Sequence, residues 1–226
     1  MATLVIELFA AIVGIVCFKK YKDTPIRYFI YFLIYIFICE LLATYTYSVR
    51  YNGVLGFLDT TRFRHNYWWG TLYWEIGGVL FYIWFFAKII VKDYLSKALN
   101  ILAILFLICS VAIIIFNFDQ YFTSNFKFID ISGTILIVIS ITCYFLDVML
   151  SERVLYFYQS IYFYIAALLF LWWIILTPLT FYQMYFTLAD PEYIQLKSSI
   201  YLITNCLTYI GFGLILILCK PPKHES

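Results

Sequence analysis

The stretch ALNILAILFLICSVAIIIF, from Ala98 to Phe116, carries no charged residue and only Asn100, Cys109 and Ser110 as polar interruptions. At about 1.5 Å per residue, such a run crosses roughly 30 Å of hydrocarbon as a single α-helix. Six further apolar stretches of similar length lie around it: Ala2–Phe18, Tyr28–Tyr47, Thr71–Val91, Ile131–Leu150, Leu155–Leu176 and Ser199–Cys219. Over all 226 residues, 65% are hydrophobic, 23% aromatic and only 12% charged, a balance that cannot clothe a water-soluble domain. The sequence predicts an all-α membrane protein, with residues 1–226 forming a single seven-transmembrane-helix bundle.

With seven spans the two termini face opposite sides. One set of connections holds Lys19, Lys20, Lys22, Arg27, Lys88, Lys92, Lys97, Arg153, Lys220 and Lys223; the other holds Arg50, Arg62, Arg64, Lys127 and Lys197. Basic residues accumulate on the cytoplasmic side of short loops, so the N-terminus is expected to be external and the C-terminus cytoplasmic. The first span, with Glu7 inside it, no basic leader and no small-residue cleavage site, reads as a retained helix rather than a signal peptide. The two long connections, Ser48–Gly70 and Thr177–Ser198, then lie outside. Arg62 to Trp69 has the mixture of an interfacial anchor, Pro178 reads as a kink beyond which the sixth helix continues, and Asp190-Pro191-Glu192 reads as a turn or helix start.

Several functions are excluded or lose support. The basic residues form no patch that tracks a phosphate backbone, so no nucleic-acid partner is expected. Six cysteines without a CxxC pair give neither a disulfide framework nor a zinc site, and two histidines, His65 and His224, are too few for paired haem ligation or a zincin motif. No catalytic residue, metal site or cofactor is assigned, and the lipid bilayer is the one partner that composition implies. The short segment after Lys220 has no room for an output domain, so any signal must pass to a separate protein.

Ionisable side chains inside hydrocarbon cost about 2.5–3.5 kcal/mol each on insertion scales unless paired, protonated or hydrated, which singles out Glu7, Glu40, Glu75 and Asp147. On the expected topology, the three glutamates lie roughly 6–11 Å below the outer surface, at about 1.5 Å per residue. Asn205 falls at a similar depth, while Asn117, Asp119 and Asp130 surround the external mouth. An acidic, external-facing vestibule that binds a small ligand, cation or proton is the functional reading. Its competitor is a set of hydrated or paired glutamates that serve packing. Trp74, Trp84 and Tyr209 are candidate aromatic lining, against the alternative of lipid-facing belts and core packing. Asp147 reads as a hydrated helix-end residue. Gly77, Gly78, Gly211 and Gly213 signal close helix approach.

The residues Ile6-Glu7-Leu8-Phe9-Ala10-Ala11, then Lys19-Lys20-Tyr21-Lys22-Asp23-Thr24-Pro25, then Tyr35 to Glu40-Leu41, resemble small uncharacterised seven-span membrane proteins of the Bacteroidota. The resemblance covers about the first forty residues and implies a bacterial inner-membrane location. It carries no activity and no catalytic residue with it. The function expected is a receptor-like or sensor-accessory protein acting through a partner. A small transporter or channel using the same acids is the alternative, with a membrane scaffold subunit or a lipid-modifying enzyme behind it.

Overall fold

A computed structural model describes residues 2–50, 53–182 and 191–222. The described residues form helices joined by short connections, with no strand among them. Ten α-helices follow in chain order: α1 (Ala2–Tyr21), α2 (Ile26–Ala43), α3 (Tyr45–Arg50), α4 (Tyr67–Gly70), α5 (Val79–Ile89), α6 (Asp93–Phe116), α7 (Gln120–Thr123), α8 (Lys127–Met149), α9 (Ile161–Tyr182) and α10 (Pro191–Leu218). A π-helical segment, Thr71–Gly78, joins α4 to α5 without a break.

Six of these helical runs are long and apolar enough to cross a membrane: Ile26–Val49, Tyr67–Ile89, Asp93–Phe116, Lys127–Met149, Ile161–Leu179 and Ile194–Leu218. The remaining expected span lies in α1, whose 20 residues include Glu7, Lys19 and Lys20. The most apolar helix, α6, has a mean hydropathy of 3.0, yet only 17% of its apolar stretch is buried. A water-soluble fold buries its most apolar helix first; one that leaves it bare needs a non-aqueous solvent around it. The helices are compatible with a multi-pass membrane protein.

Helix ends depart from the apolar stretches in an instructive way. The first helical turn of α6 runs through Asp93 and Lys97, paired at 2.9 Å across one turn, so this helix starts before the apolar run at Ala98. Similarly, α10 begins at Pro191, a residue suited to the first helical turn, rather than at Ser199. Conversely, the stretch expected to open at Leu155 does not do so. Residues Glu152–Leu155 and Phe157–Gln159 form two 3₁₀ turns, and the helix starts at Ile161. Pro178 lies within α9, which continues beyond it to Tyr182. Most of the Leu179–Leu188 stretch, and Asp190, fall outside the described residues.

Around the bundle, α1 sits between α2 and α10, α10 packs on α9, α9 on α8, and α8 on α5, while α6 leans from outside against α5 and α8. Gly213 faces Phe9 and Gly211 faces Leu168 so closely that a Cβ would sit 2.8 and 2.5 Å from their side chains, so α10 approaches α1 and α9 at these two glycines. At the end that holds Lys20, the α1 side chains cap α10. The Lys20 ammonium donates to the carbonyls of Leu216 (3.1 Å) and Ile217 (2.8 Å), and the Tyr21 hydroxyl to those of Leu216 (3.1 Å) and Cys219 (2.6 Å). Four donor contacts thus meet the carbonyls that a helix C-terminus leaves unpaired.

Asp147 corrects the expectation of a hydrated helix end. It is 0% exposed. Its carboxylate accepts the backbone N–H of Val91 (3.1 Å) and of Lys92 (3.0 Å), the residues that turn the chain from α5 into α6, and a hydrogen bond from the Arg153 guanidinium. Arg153 also donates to the Ile89 carbonyl at 3.4 Å. The connection has no helix to satisfy its amides, and Asp147 supplies the acceptor.

Candidate functional site

The three glutamates separate into two clusters. The first is built on α1, α2, the π segment and α10. Glu7 is 5% exposed, and its Oε2 is buried without a hydrogen-bond partner. It lies within electrostatic range of Glu40 on α2. The Glu40 Oε1 accepts the hydroxyl of Tyr73 at 2.5 Å, at the short end of O–H···O bonds. Tyr209, on α10, interacts electrostatically with Glu7, Glu40, Tyr73 and Tyr82, which makes it part of the same cluster. Above Tyr73, the Trp69 ring packs at 5.7 Å between centroids and its indole N–H donates to the Cys39 carbonyl at 2.9 Å. Trp69, in α4, therefore belongs to the wall of this cluster, and the adjacent Trp68 ties α4 to α3 by donating to the Tyr45 hydroxyl at 3.2 Å.

Glu75 is turned elsewhere. Residues two apart on a helix point to nearly opposite sides, so Tyr73 and Glu75 cannot serve the same face. Glu75 accepts the Thr71 hydroxyl at 2.9 Å and lies within electrostatic range of Asp130 on α8. Together with Thr134 of α8, Tyr82 of α5 and Trp173 of α9, these two acids line a partly enclosed cavity of about 10 Å³. Asp130 was expected at the external mouth and belongs instead to this cavity, while Asp119 pairs with Arg62 at 3.3 Å between exposed side chains.

The other expected site residues disperse. Asn205 accepts the Trp172 indole N–H at 2.7 Å and holds α10 to α9. Trp74 lines the Glu75 cavity and meets Trp172 edge-on at 5.8 Å. Trp84 faces the outer side of α5, in an open groove with Tyr28, Tyr31 and Phe81, and the Lys88 ammonium lies over its ring at 5.4 Å. Of the three aromatic candidates, Tyr209 alone accompanies Glu7 and Glu40.

Tyr73 and Thr134 are the polar members that reading along the chain missed, and Asp130 was named only for the external mouth. For Asp130 and Thr134 a signal existed, because their four-residue spacing puts them on one face of one helix. Tyr73 gave none, being one among many aromatic residues. No three His, Cys, Asp or Glu side chains are grouped to hold a metal ion among the described residues. Compared with known proteins, the chain matches no family model, no curated protein and no solved structure.

Proposed function

We propose that this chain is a seven-span, receptor-like or sensor-accessory protein of a bacterial inner membrane whose Glu7–Glu40 pair takes up a proton or a small cation and whose state passes to a separate protein partner. The observation that carries the reading is the buried, unpartnered Glu7 Oε2 beside a second carboxyl. A buried carboxylate beside a second, half-buried one cannot remain charged cheaply, so Glu7 binds a proton or the pair binds a cation. Seven crossings, with an external N-terminus and a cytoplasmic C-terminus, accord with the bonds from Lys20 and Tyr21 to the last turn of α10, because they bring the ends of α1 and α10 to the same side. The excess of basic residues on that side supports its being cytoplasmic. The inner-membrane assignment rests on the resemblance of the first forty residues.

Between this cluster and Asp147 the interior is filled by buried apolar side chains, among them Ile83, Phe85, Phe86, Ile137 and Ile141. Its buried polar groups are few, Tyr82, Ser140 and Tyr144, and the Ser140 hydroxyl is spent on the Leu136 carbonyl, which favours sensing over permeation by the alternative transporter. The test is an infrared pH titration of the protein in lipid nanodiscs, alongside proton and cation flux into proteoliposomes. The expected result is a titrating protonated-carboxyl band that Glu7→Gln removes and Glu40→Gln displaces along the pH axis, with no flux from the wild type. Identical spectra for all three proteins refute the site; flux abolished by Glu7→Gln replaces the sensor with a transporter.

A further inference from the structure

Two residues with orphaned polar atoms, Thr134 and Trp173, line the cavity between the π segment, α5, α8 and α9. Thr134 is 4% exposed and Trp173 7%; neither the Thr134 hydroxyl nor the Trp173 indole N–H has a hydrogen-bond partner. Both are unusual in their own surroundings. Hydroxyls in a helix ordinarily turn back to the carbonyl four residues earlier, and on the same α8 three do: Ser132 to Phe128 (2.6 Å), Ser140 to Leu136 (2.7 Å) and Thr142 to Val138 (2.8 Å). Thr134 forgoes that bond. The adjacent Trp172 gives its N–H to Asn205, whereas Trp173 gives its own to no protein atom.

The cavity these groups share with Glu75 and Asp130 has about 10 Å³, the space of one water molecule. The wall chemistry decides the occupant. An indole N–H is a donor only and requires an acceptor, the carboxyl groups of Glu75 and Asp130 are acceptors when ionised, and a hydroxyl serves as either. A bare cation has no lone pair to offer Trp173, and an anion would face two carboxyls. Water alone among species of this size both accepts and donates.

We propose that this cavity binds a structural water that accepts from Trp173, bonds to the Thr134 hydroxyl and bridges Glu75 to Asp130, making the two carboxyls one proton-sharing pair. Lys197 of α10, which interacts with Asp130, is the charged group facing the pair, and Tyr82 is the other titratable side chain in its wall. The inference is independent of the Glu7–Glu40 reading, which involves other residues.

The sign of a stability change tests it. In a dry void, Thr134→Val removes an unpaired hydroxyl and raises Tm. Around a bound water, the same change breaks a satisfied network and lowers Tm, by about 2–4 °C for a chain of this size. Trp173→Phe removes the indole donor, but it also leaves a void that lowers Tm with or without a water, so for this variant the infrared band is the deciding readout. The second readout is the infrared O–H stretch of the protein in nanodiscs after exchange into H₂¹⁸O. The expected result is an isotope-sensitive band of a bound water that is lost in both variants, with Tm lowered in both, and that survives in Glu7→Gln. A raised Tm in Thr134→Val, or a wild-type spectrum with no such band sensitive to these substitutions, overturns the proposal.

Discussion

Replacing Asp147 removes an acceptor that three donors share, and the outcome can be sized from its surroundings. In Asp147→Ala, the N–H groups of Val91 and Lys92 lose their partner; both bonds are only part-buried and Val91 is 67% exposed, so each donor left unsatisfied costs toward the low end of about 1–3 kcal/mol. Arg153 loses its carboxylate as well, but its side chain keeps 26% exposure and can rehydrate, so the usual 3–5 kcal/mol for breaking a buried ion pair is an upper bound for that part. The losses overlap because they concern one carboxylate, which sets the expected destabilisation at about 3–5 kcal/mol. Asp147→Asn retains one carbonyl acceptor but turns an amide donor toward the remaining donors, for about 2–3 kcal/mol by the same reasoning. At roughly 2–4 °C per kcal/mol, Asp147→Ala lowers Tm by about 6–20 °C. Thermal unfolding in lipid nanodiscs measures this. A double-mutant cycle with Arg153→Met, expected to show a coupling of at least about 1 kcal/mol, isolates the ion pair from the amide bonds. If both Asp147 variants unfold within about 0.5 kcal/mol of wild type, Asp147 does not fasten the connection between α5 and α6.

Three further outcomes follow from single contacts. A Cβ at Gly133 would lie 2.7 Å from Cγ2 of Val79, a stiff β-branched neighbour, so Gly133→Ala forces α8 away from α5 at about 1–3 kcal/mol, visible as a lowered Tm. Tyr21→Phe removes two of the donor contacts at the end of α10 and is expected to cost about 1–2 kcal/mol, with faster hydrogen exchange confined to the last turn of α10; uniform exchange along the helix would contradict a capping role. A reporter fused after Ser226 is expected to read cytoplasmic and one placed before Met1 external; the reverse pattern would put the Glu7 cluster in the inner leaflet.

The helical class and the places of the long helices were legible because hydropathy over about 20 residues is a property of local sequence, and the bilayer demands it. The break at residues 151–160 was not, since Leu155, Tyr156 and Phe157 are as apolar as the helix that follows and nothing in their hydropathy marks a 3₁₀ turn. Depth, counted along each helix from the expected topology, puts Glu7, Glu40 and Glu75 at one level. Rotation about each helix axis was not legible. All-round apolar helices in a membrane carry little amphipathic signal, so the direction in which Glu75 points depends on which neighbour α5 packs against, a tertiary fact. Asp147 was misread for a related reason: three residues from a helix end is a hydrated position unless a neighbouring loop closes over it, and that loop lies more than fifty residues away in the chain.

The two acid clusters nevertheless share one piece of backbone. Tyr73, Trp74 and Glu75 are consecutive in the π segment, and they meet Glu40 on α2, Trp172 on α9 and Asp130 on α8 respectively. The Tyr35 hydroxyl donates to the Tyr73 carbonyl at 3.3 Å, and at Gly77 a Cβ would come within 3.0 Å of the same hydroxyl, so α2 fits this segment closely. A rotation of the segment that loosens Tyr73 from Glu40 must also turn Glu75 in its cavity. Contacts carried by one rigid unit do not respond independently, so Tyr73→Phe and Glu75→Gln should combine with a coupling above about 0.5 kcal/mol, although their side chains face away from each other. Strict additivity would mean that the π segment yields locally at each residue, and the clusters would then be separate sites that merely adjoin in sequence.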